Sequence, residues 1–351
     1  MWPERKDLTV DFTLSEEQDL LQRTAQRLLG EACPSSLVRE VADDPSAADE
    51  LWPALSEWVA LGDGPLVDLC LFCEQAGHVL LPGPWFATTA LLLPLLRATG
   101  HPSADDFASG ERSGTVAVAG RDGHWRVSGD DVRTFVPEAD LAEAVAVVEP
   151  GPAVTVVREL PTRLVGTLDL SRRFFEVDVS ALDGERHSLG GDQLDAWLDR
   201  ARVAVAAEML GGARWMLQAA VAYAGERVQF DQPIGAFQAI QHKLADLALE
   251  VERAHAAVYY AAMAVDAGDP DARRASHVAK ASAGSAATRA AKDSIQVHGG
   301  VGYTWEHDLH LYIRRAYTSE HLLGSREWHH DRIADLLLRS PAAQAAAGAT
   351  P

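Results

Sequence analysis

The spacing of apolar residues changes twice along this chain, and these changes limit the possible fold more than any other feature of the sequence. Up to about residue 110, apolar residues recur three or four positions apart, as they do on one face of a helix. From Gly114 to Val179 they lie in short valine-rich runs separated by Gly, Pro and Asp, a pattern typical of strands. After Leu189–Asp192 the helical spacing returns in long segments. The chain is therefore predicted to be an α+β protein with three parts.

We predict a helical domain over residues 1–110, a small β-domain over 111–188, a second helical domain over 189–340 and a disordered tail over 341–351. Thr13 or Ser15 is expected to cap the first helix, with Glu16 or Gln18 closing a capping box. Further helices are expected over 51–60 and 66–80. The predicted strands are TVAVAG, HWRVSG, VAVVEP, AVTVVREL and FFEVDVS. The long helices after residue 189 can bury their apolar faces only against one another, which predicts a bundle.

Charge and hydropathy exclude several classes of function. The 351 residues include 31 Lys and Arg against 51 Asp and Glu, so nucleic acids and anionic membranes would repel the chain. The most apolar run, Ala90–Leu96, is far shorter than the ~20 residues that span a bilayer. No signal peptide is predicted, so the expected location is the cytoplasm. The sequence has only three cysteines, which are expected to be buried and inert rather than disulfide-bonded: Cys33, Cys70 and Cys73.

Two stretches of the last part carry recognisable motifs. ERVQFDQPIGAFQAIQHKLAD (Glu226–Asp246) is similar to the Arg-x-x-Phe-Gly-x-x-Ile-x-x-Phe-Gln segment of the acyl-CoA dehydrogenases. QVHGGVGYTWEHDLHLYIRRA (Gln296–Ala316) is similar to their Gln-x-x-Gly-Gly-x-Gly segment with the downstream Arg-Asp-Ala. With weaker support from TLDLSRR and DFTLSEEQDLL, the chain resembles this family over nearly its whole length. The resemblance implies an N-terminal helical domain, a middle β-domain, a C-terminal four-helix bundle and a flavoprotein oxidoreductase of lipid metabolism with FAD as cofactor.

The chemistry of FAD gives these residues roles. An arginine at a helix end, such as Arg227, can hold the pyrophosphate through two hydrogen bonds, with Gln229 and the backbone near Phe230 adding contacts. The alternative for Arg227 is an exposed ion pair with Glu226 or Asp231. Asp231 also stands where the family has glycine, which puts an acid near the pyrophosphate.

Within the second motif, Gly299, Gly300 and Gly302 would let the backbone approach a ligand or a neighbouring helix, although a simple turn between helices is the alternative. The resemblance implies further FAD contacts at Gln238, Gln296, Gly299, Gly300 and Ser325.

The family's catalytic base is missing from its usual place. The reaction removes the α-proton of an acyl-CoA while the β-hydride passes to flavin, and it needs a carboxylate at the substrate α-carbon. Counting from Arg314-Arg315-Ala316, Leu323 occupies the position of the family's glutamate. A minority of the family carries the base on the first bundle helix, where this chain has Ala201. Glu208, on the same helical face, is a weak candidate, and Glu320 is another; the alternative for both is a structural or solvated carboxylate.

The β-domain also departs from the family. The loop and strand that hold the flavin ring read AVAGRDG and RTFVPEA here, without the family's motifs. In the family's homodimers, one subunit holds the flavin ring, while the Arg-x-x-Phe and Gln-x-x-Gly-Gly segments of its neighbour contact the adenosine and pyrophosphate. The resemblance therefore implies that this chain keeps the segments that contact a neighbour's FAD and lacks those that hold the ring. We predict the complementary subunit of a heterotetrameric acyl-CoA dehydrogenase, with an acyl-CoA substrate, a paralogous catalytic subunit as partner and an electron-transfer flavoprotein-like acceptor. The alternatives are a self-sufficient enzyme with a relocated base and a flavin-free scaffold subunit.

Histidines crowd the C-terminal part, and His307 and His310 are three residues apart. No Cys or carboxylate cluster with the spacing of a metal site surrounds them, so no metal is predicted.

Overall fold

Three blocks of secondary structure follow one another in the computed structural model, which describes residues 12–338. Helices extend to Ala108, strands lie between Thr115 and Ser188, and helices resume at Gly191. The predicted α+β class is confirmed. The domain limits at 110/111 and 188/189 remain predictions, and the tail over 341–351 lies outside the described residues. None of the helices described is both long and apolar enough to cross a membrane.

The first block begins with a capped helix. The Ser15 hydroxyl accepts a hydrogen bond from the Gln18 amide (3.2 Å), and the Gln18 side chain accepts one from the Ser15 amide (3.1 Å), so the capping box uses this pair of the predicted alternatives. The helices are α1 Glu16–Ala32, α2 Ser35–Asp43, α3 Trp52–Leu55, α4 Leu66–His78, α5 Leu93–Thr99 and α6 Ala104–Ala108. A π-helix, Ala87–Leu92, precedes α5.

The single helix predicted over 51–60 is wrong. Two 3₁₀ segments, Pro45–Leu51 and Ser56–Gly62, flank the one-turn α3. Pro53 has no N–H to donate to the preceding turn, which divides the helical path into short pieces. As expected, all three cysteines are buried and free, and burial raises the pKa of Cys33 to about 12.

The middle block consists of two small sheets packed face to face. The strands are β1 Thr115–Ala117, β2 Val132–Pro137, β3 Val145–Glu149, β4 Ala153–Val157, β5 Thr162–Val165, β6 Phe174–Asp178 and β7 Arg186–Ser188. One sheet has the order β1-β3-β4-β7 and the other β2-β6-β5; only the β1–β3 pair is parallel. Valines and phenylalanines of both sheets form a shared apolar core.

The strand predicted at HWRVSG is also wrong, and β2, β5 and β7 were not among the predicted strands. The His124 amide donates to the Asp122 carboxylate (3.0 Å), and the Arg121 amide donates to Asp130 (2.9 Å). Such side-chain acceptors offer the backbone an alternative to strand pairing, so residues 124–129 form an irregular loop with a bend at 125–126.

The third block is the predicted helical bundle. Three long helices, α7 Gly191–Glu226, α8 Gln238–Asp266 and α9 Ala272–His298, pack on one another. Two shorter helices, α10 Leu309–His321 and α11 Arg326–Leu338, pack on α9. Between α7 and α8 lies a hairpin of β8 Val228–Gln229 and β9 Gln232–Pro233, followed by a 3₁₀ turn.

A close crossing of α4 and α7 joins the first block to the bundle. A Cβ atom added at Gly77 would lie 1.8 Å from the Glu208 carbonyl oxygen, and one added at Gly211 would lie 1.8 Å from that of Glu74. Only glycine permits this approach, which places Glu208 of α7 against the N-terminal block.

We expect Gly211→Ala to destabilise the protein by about 1–3 kcal/mol or more, because the added methyl group meets backbone that cannot move aside. Gly212→Ala is the matched control, since its Cβ would lie at an ordinary 3.7 Å from the nearest atom. The control should be neutral or stabilising by up to ~1 kcal/mol through helix propensity. Urea denaturation, monitored by circular dichroism, measures the stability of both variants. Equal stabilities of Gly211→Ala and Gly212→Ala would show that the two helices separate easily.

The turn between α10 and α11 is held by a buried lysine. Lys280 of α9 is 1% exposed, and its Nζ donates to the carbonyl oxygens of Glu320 (2.9 Å) and Gly324 (3.2 Å). Within the turn, Leu323 has φ 62° and Gly324 has φ 111°. A Cβ atom on Gly324 would lie 2.6 Å from the Trp328 ring, so glycine is required there. Burial lowers the pKa of Lys280 from 10.5 to about 7.

This depressed pKa predicts a pH dependence of stability. Below about pH 7 the lysine is charged in both the folded and unfolded states, whereas between 7 and 10.5 only the unfolded chain holds the proton. Stability contributed by this group therefore rises with pH across that window, by at most about 1.4 kcal/mol per pH unit. Between pH 7 and pH 9 we expect the wild type to gain about 2 kcal/mol more than Lys280→Met. Lys292→Met, at an exposed position on the same helix, should keep the wild-type slope; a Lys280→Met slope as steep as the wild type would contradict the assignment.

Candidate functional site

The predicted cofactor residues fall in two regions of the structure. Seven lie on the connection between α7 and α8 or at the end of α9: Arg227, Gln229, Phe230, Gln238, Gln296, Gly299 and Gly300. Ser325 lies apart from them, at the start of α11. We call the segments Arg227–Gln238 and Gln296–Gly300 the paired segments.

The hairpin after α7 explains the unusual acid in the first motif. Phe230 (φ 54°) and Asp231 (φ 63°) are the two central residues of a tight turn closed by the Gln229–Gln232 pair. Two positive φ angles define the type I′ turn, and aspartate tolerates this conformation far better than most side chains. The backbone at Asp231 therefore keeps a shape that glycine also adopts.

The first paired segment presents its side chains outward. Arg227 is exposed at the end of α7, and within residues 12–338 its guanidinium forms no ion pair with Glu226 or Asp231. Phe230 is 86% exposed. The Gln229 side chain donates to the Val228 carbonyl oxygen (2.8 Å). An exposed, unneutralised arginine beside an exposed aromatic ring is suited to an anionic ligand with a ring system.

The second paired segment presents bare backbone. Gly299 ends α9 with φ 62° and ψ -142°, a conformation largely restricted to glycine. A Cβ atom added at Gly299 or Gly300 would meet nothing within 4 Å, and Gln296 is exposed one turn earlier. A ligand or partner can therefore approach this backbone closely.

Packing between α7 and α9 joins the paired segments into one surface. The Tyr223 ring in the last turn of α7 stacks on His298, with centroids 4.5 Å apart. Below them, Ala224 and Val297 are buried in a small apolar cluster with Ile234. Arg227 and Gly299 therefore extend from elements that pack on each other.

A separate cavity of about 620 Å³ lies between the β-domain and helices α10 and α11. Ser325 lines it and also caps α11, since its hydroxyl accepts from the Trp328 amide (3.3 Å). Its aromatic lining residues are Trp125, Phe135, Phe174, Tyr317 and Trp328, and its titratable lining residues are Asp122, His124, His321 and Glu327. Apart from Ser325, the predicted cofactor residues do not line it.

A bulge in β2 places one aromatic wall of this cavity. The β2–β6 register shifts between Arg133 and Val136, and Phe135 adopts φ 53° at the irregularity. Its ring contacts Phe174 edge to face, with centroids 6.3 Å apart. Phe135 belongs to the RTFVPEA stretch, which lacks the family motif that holds the flavin ring. The cavity is present even though this motif is missing. The alternation of apolar and polar residues did not predict the bulge, because bulges follow from pairing between strands that are distant in the sequence.

Leu323 does not replace the catalytic glutamate in the cavity wall. Its side chain is 1% exposed and belongs to the main apolar core, while the neighbouring Leu322, Gly324 and Ser325 line the cavity. Ala201, at the alternative position of the base, is completely buried. Neither position offers a proton acceptor.

Glu208 is enclosed by two arginines. It is 2% exposed, and its carboxylate oxygens accept from Arg172 Nη1 (3.0 Å) and Nη2 (2.5 Å) and from Arg315 Nη1 (3.2 Å). Arg315 Nε in turn pairs with Asp169 (2.6 Å). We call these four residues the buried ion network. Glu208 does not line the 620 Å³ cavity, so its role in the structure is that of a counter-ion.

The other carboxylate weighed as a base, Glu320, has a similar structural use. Its Oε1 accepts from the Arg326 amide at the start of α11 (2.6 Å). Glu138 directly follows β2 and lies next to Arg173. Burial raises the pKa of Glu138 to about 7, but this group also lies outside the cavity lining.

The C-terminal histidines take part in structural contacts. His307 Nδ1 accepts from the Leu309 amide (3.1 Å), and the His310 ring stacks on Trp305 with centroids 4.9 Å apart. In the part of the chain that the structure describes, no group of three or more His, Cys, Asp or Glu side chains could hold a metal ion.

Comparisons with known proteins agree with this architecture. Residues 190–338 match the family model described as acyl-CoA dehydrogenase, C-terminal domain. The chain is 33% identical over 326 residues to the acyl-CoA dehydrogenase IpdE2 of Mycobacterium tuberculosis, covering 90% of this chain and 95% of that protein. The IpdE2 protein of Mycolicibacterium smegmatis is 30% identical over 323 residues, covering 89% and 96%.

Solved structures share the fold. The ChsE4-ChsE5 complex from Mycobacterium tuberculosis superposes with a TM-score of 0.81 at 26% identity, covering 95% of this chain and 100% of that chain. A butyryl-CoA dehydrogenase from Megasphaera elsdenii gives the same TM-score at 21% identity, covering 94% and 100%, which is evidence of fold alone. The order of the three blocks, the two motifs and the full-length relatives lead to one conclusion: the chain belongs to the acyl-CoA dehydrogenase family.

Proposed function

We propose that this chain takes part in flavin-dependent α,β-dehydrogenation of an acyl-CoA as the subunit that completes the FAD site of a catalytic paralogue. One observation carries the proposal: the paired segments face outward, whereas Leu323, at the position of the base, is packed into the core. The chain is thus equipped to contact a cofactor held largely by a neighbour, and it lacks the group that would remove the substrate proton.

The paired segments suit the pyrophosphate end of FAD. The Arg227 guanidinium is without an ion-pair partner in residues 12–338 and can donate two parallel hydrogen bonds to phosphate oxygens. The open space above Gly299 and Gly300 admits a ligand to backbone distance. When bound, FAD supplies the hydride acceptor of the reaction; this chain's residues supply charge neutralisation and positioning.

Removal of the α-proton is assigned to the partner. In this chain Leu323 cannot accept a proton, and Glu208 is neutralised on both sides by arginines. Both carboxylate oxygens of this buried side chain are occupied by guanidinium donors, so they are not open to a substrate. The ChsE4-ChsE5 complex, one chain of which shares this fold, supports an assembly of this kind.

The two alternatives, a self-sufficient enzyme and a flavin-free scaffold, make different demands on the structure. A self-sufficient enzyme would need its base in the 620 Å³ cavity, whose lining carboxylates are Asp122 and Glu327. These are largely exposed and paired with Arg126 and Arg326 respectively, which does not favour a base in a water-excluded site. A flavin-free scaffold would leave the outward-facing Arg227 without a role. The acyl-CoA substrate, the cytoplasmic location and an electron-transfer flavoprotein-like acceptor remain predictions.

Co-expression separates the three possibilities. Expressed alone, the chain should purify with little FAD, because the phosphate contacts without ring contacts hold it weakly. Co-purified with a full catalytic paralogue, it should carry roughly one FAD per pair of subunits, measured by absorbance after release of the flavin. Stoichiometric flavin in the isolated chain would support the self-sufficient enzyme, and a complex whose flavin content equals that of the paralogue alone would support the scaffold.

Arg227→Ala should weaken FAD retention by the co-purified complex about tenfold to a hundredfold. A hydrogen bond to a charged group contributes roughly 1.5–3 kcal/mol, and ~1.4 kcal/mol corresponds to a factor of ten. Arg227→Lys should recover only part of the loss, since an ammonium cannot reproduce the guanidinium geometry. Arg253→Ala, which removes an exposed arginine of α8 paired with Glu250, is the matched control. Flavin released on dilution is measured by fluorescence; wild-type retention by the alanine variant would rule out a phosphate contact at Arg227.

A further inference from the structure

The segment that follows Gly299 and Gly300 is held by a residue from the opposite end of the chain. Arg39 of α2 donates from Nε (3.1 Å) and Nη2 (2.5 Å) to the Asp308 carboxylate, and its Nη1 donates to the Trp305 carbonyl oxygen. Its guanidinium carbon also lies 5.5 Å from the centre of the Trp305 ring. One half-buried side chain therefore makes three kinds of contact with residues 305–308, across 266 to 269 positions of sequence.

These contacts continue to the glycines through side-chain packing. His307, between the two residues that Arg39 binds, packs edge to face on His298 with centroids 4.7 Å apart. His298 directly precedes Gly299 and stacks on Tyr223, four residues before Arg227. A continuous set of contacts thus runs from α2 to both paired segments.

Apart from Arg39, the segment is held by local contacts: the Thr304 hydroxyl donates to the Val301 carbonyl oxygen (3.0 Å), and the His310 ring stacks on Trp305. Residues 299–303 form a single 3₁₀ turn, and Tyr303 and Trp305 are 74% and 49% exposed. Short 3₁₀ turns with exposed side chains lie at the low end of local stability, so a charged clamp at their far end has a large share in their order.

We propose that Arg39 is a positioning residue for the cofactor-contacting surface: it orders residues 299–308 and thereby fixes the backbone of Gly299 and Gly300. The significance for FAD rests on the function proposed above, whereas the ordering of the segment does not. No contact between Arg39 and the cofactor is required.

Hydrogen exchange of the isolated chain tests the first part. In Arg39→Ala, peptides covering residues 299–308 should exchange about tenfold faster than in the wild type, and peptides within α8 should be unchanged. Arg39→Lys should be intermediate, because it keeps a charge over Trp305 but loses the fork of donors. Asp308→Asn should reproduce the alanine effect from the other side of the contact. Arg23→Ala, which breaks an exposed pair with Asp19 on α1, is the control.

Retention of FAD by the co-purified complex tests the second part. Arg39→Ala should release flavin about three to ten times faster than the wild type, with Arg39→Lys partly restoring it, while thermal melts confirm a folded chain. Unchanged exchange over 299–308 in both Arg39→Ala and Asp308→Asn overturns the proposal whatever the function. Faster exchange with unchanged flavin release, in a complex where Arg227→Ala does lose flavin, overturns the positioning role. If Arg227→Ala also keeps its flavin, the proposed function fails and the exchange result stands by itself.

Discussion

The buried ion network of Asp169, Arg172, Glu208 and Arg315 is the interaction on which the relative placement of the three blocks depends. Asp169 and Arg172 precede β6, Glu208 lies on α7 and Arg315 on α10. Arg172 also lies over the ring of Phe86 in the N-terminal block, 4.8 Å from its centre. Because a buried charge is costly unless it is paired, the β-domain and the bundle are restricted to positions in which all four side chains meet, and the contact of Arg172 with Phe86 adds the N-terminal block. The 620 Å³ cavity lies between two of the elements that are joined in this way.

The same network explains why a carboxylate sits where sequence reasoning looked for a base. The family motif Arg-Asp-Ala reads Arg314-Arg315-Ala316 here, so a cation replaces an anion at a buried position. A buried arginine needs counter-charges, and Asp169 and Glu208 supply them (2.6 and 3.2 Å). Glu208 is therefore better understood as a partner required by Arg315 than as a group available to a substrate.

The features that were predicted correctly are those that depend on residues close together in the sequence. The change of apolar spacing predicted the three blocks. The Ser15–Gln18 capping box and the glycines at the end of α9 could also be predicted, because each depends on a few neighbouring residues. The irregular loop at 124–129 and the bulge at Phe135 could not be predicted, since the loop depends on carboxylate acceptors and the bulge on strand pairing. The cavity was missed because its lining comes from five separated stretches of the sequence. The partners of Glu208 were missed because they lie 36 and 107 positions away.

The lack of a base at position 323 follows from the packing around this residue and not only from the replacement of one carboxylate. The Leu323 side chain lies in the apolar core, and its turn is fixed by Lys280 on one side and by the crowding of Gly324 against Trp328 on the other. A glutamate at this position would have to place its charge among apolar side chains or force the turn out of its left-handed backbone conformation, and both are costly. Position 323 is thus committed by the core to an apolar side chain, and under the proposed function the proton acceptor is supplied by the catalytic paralogue.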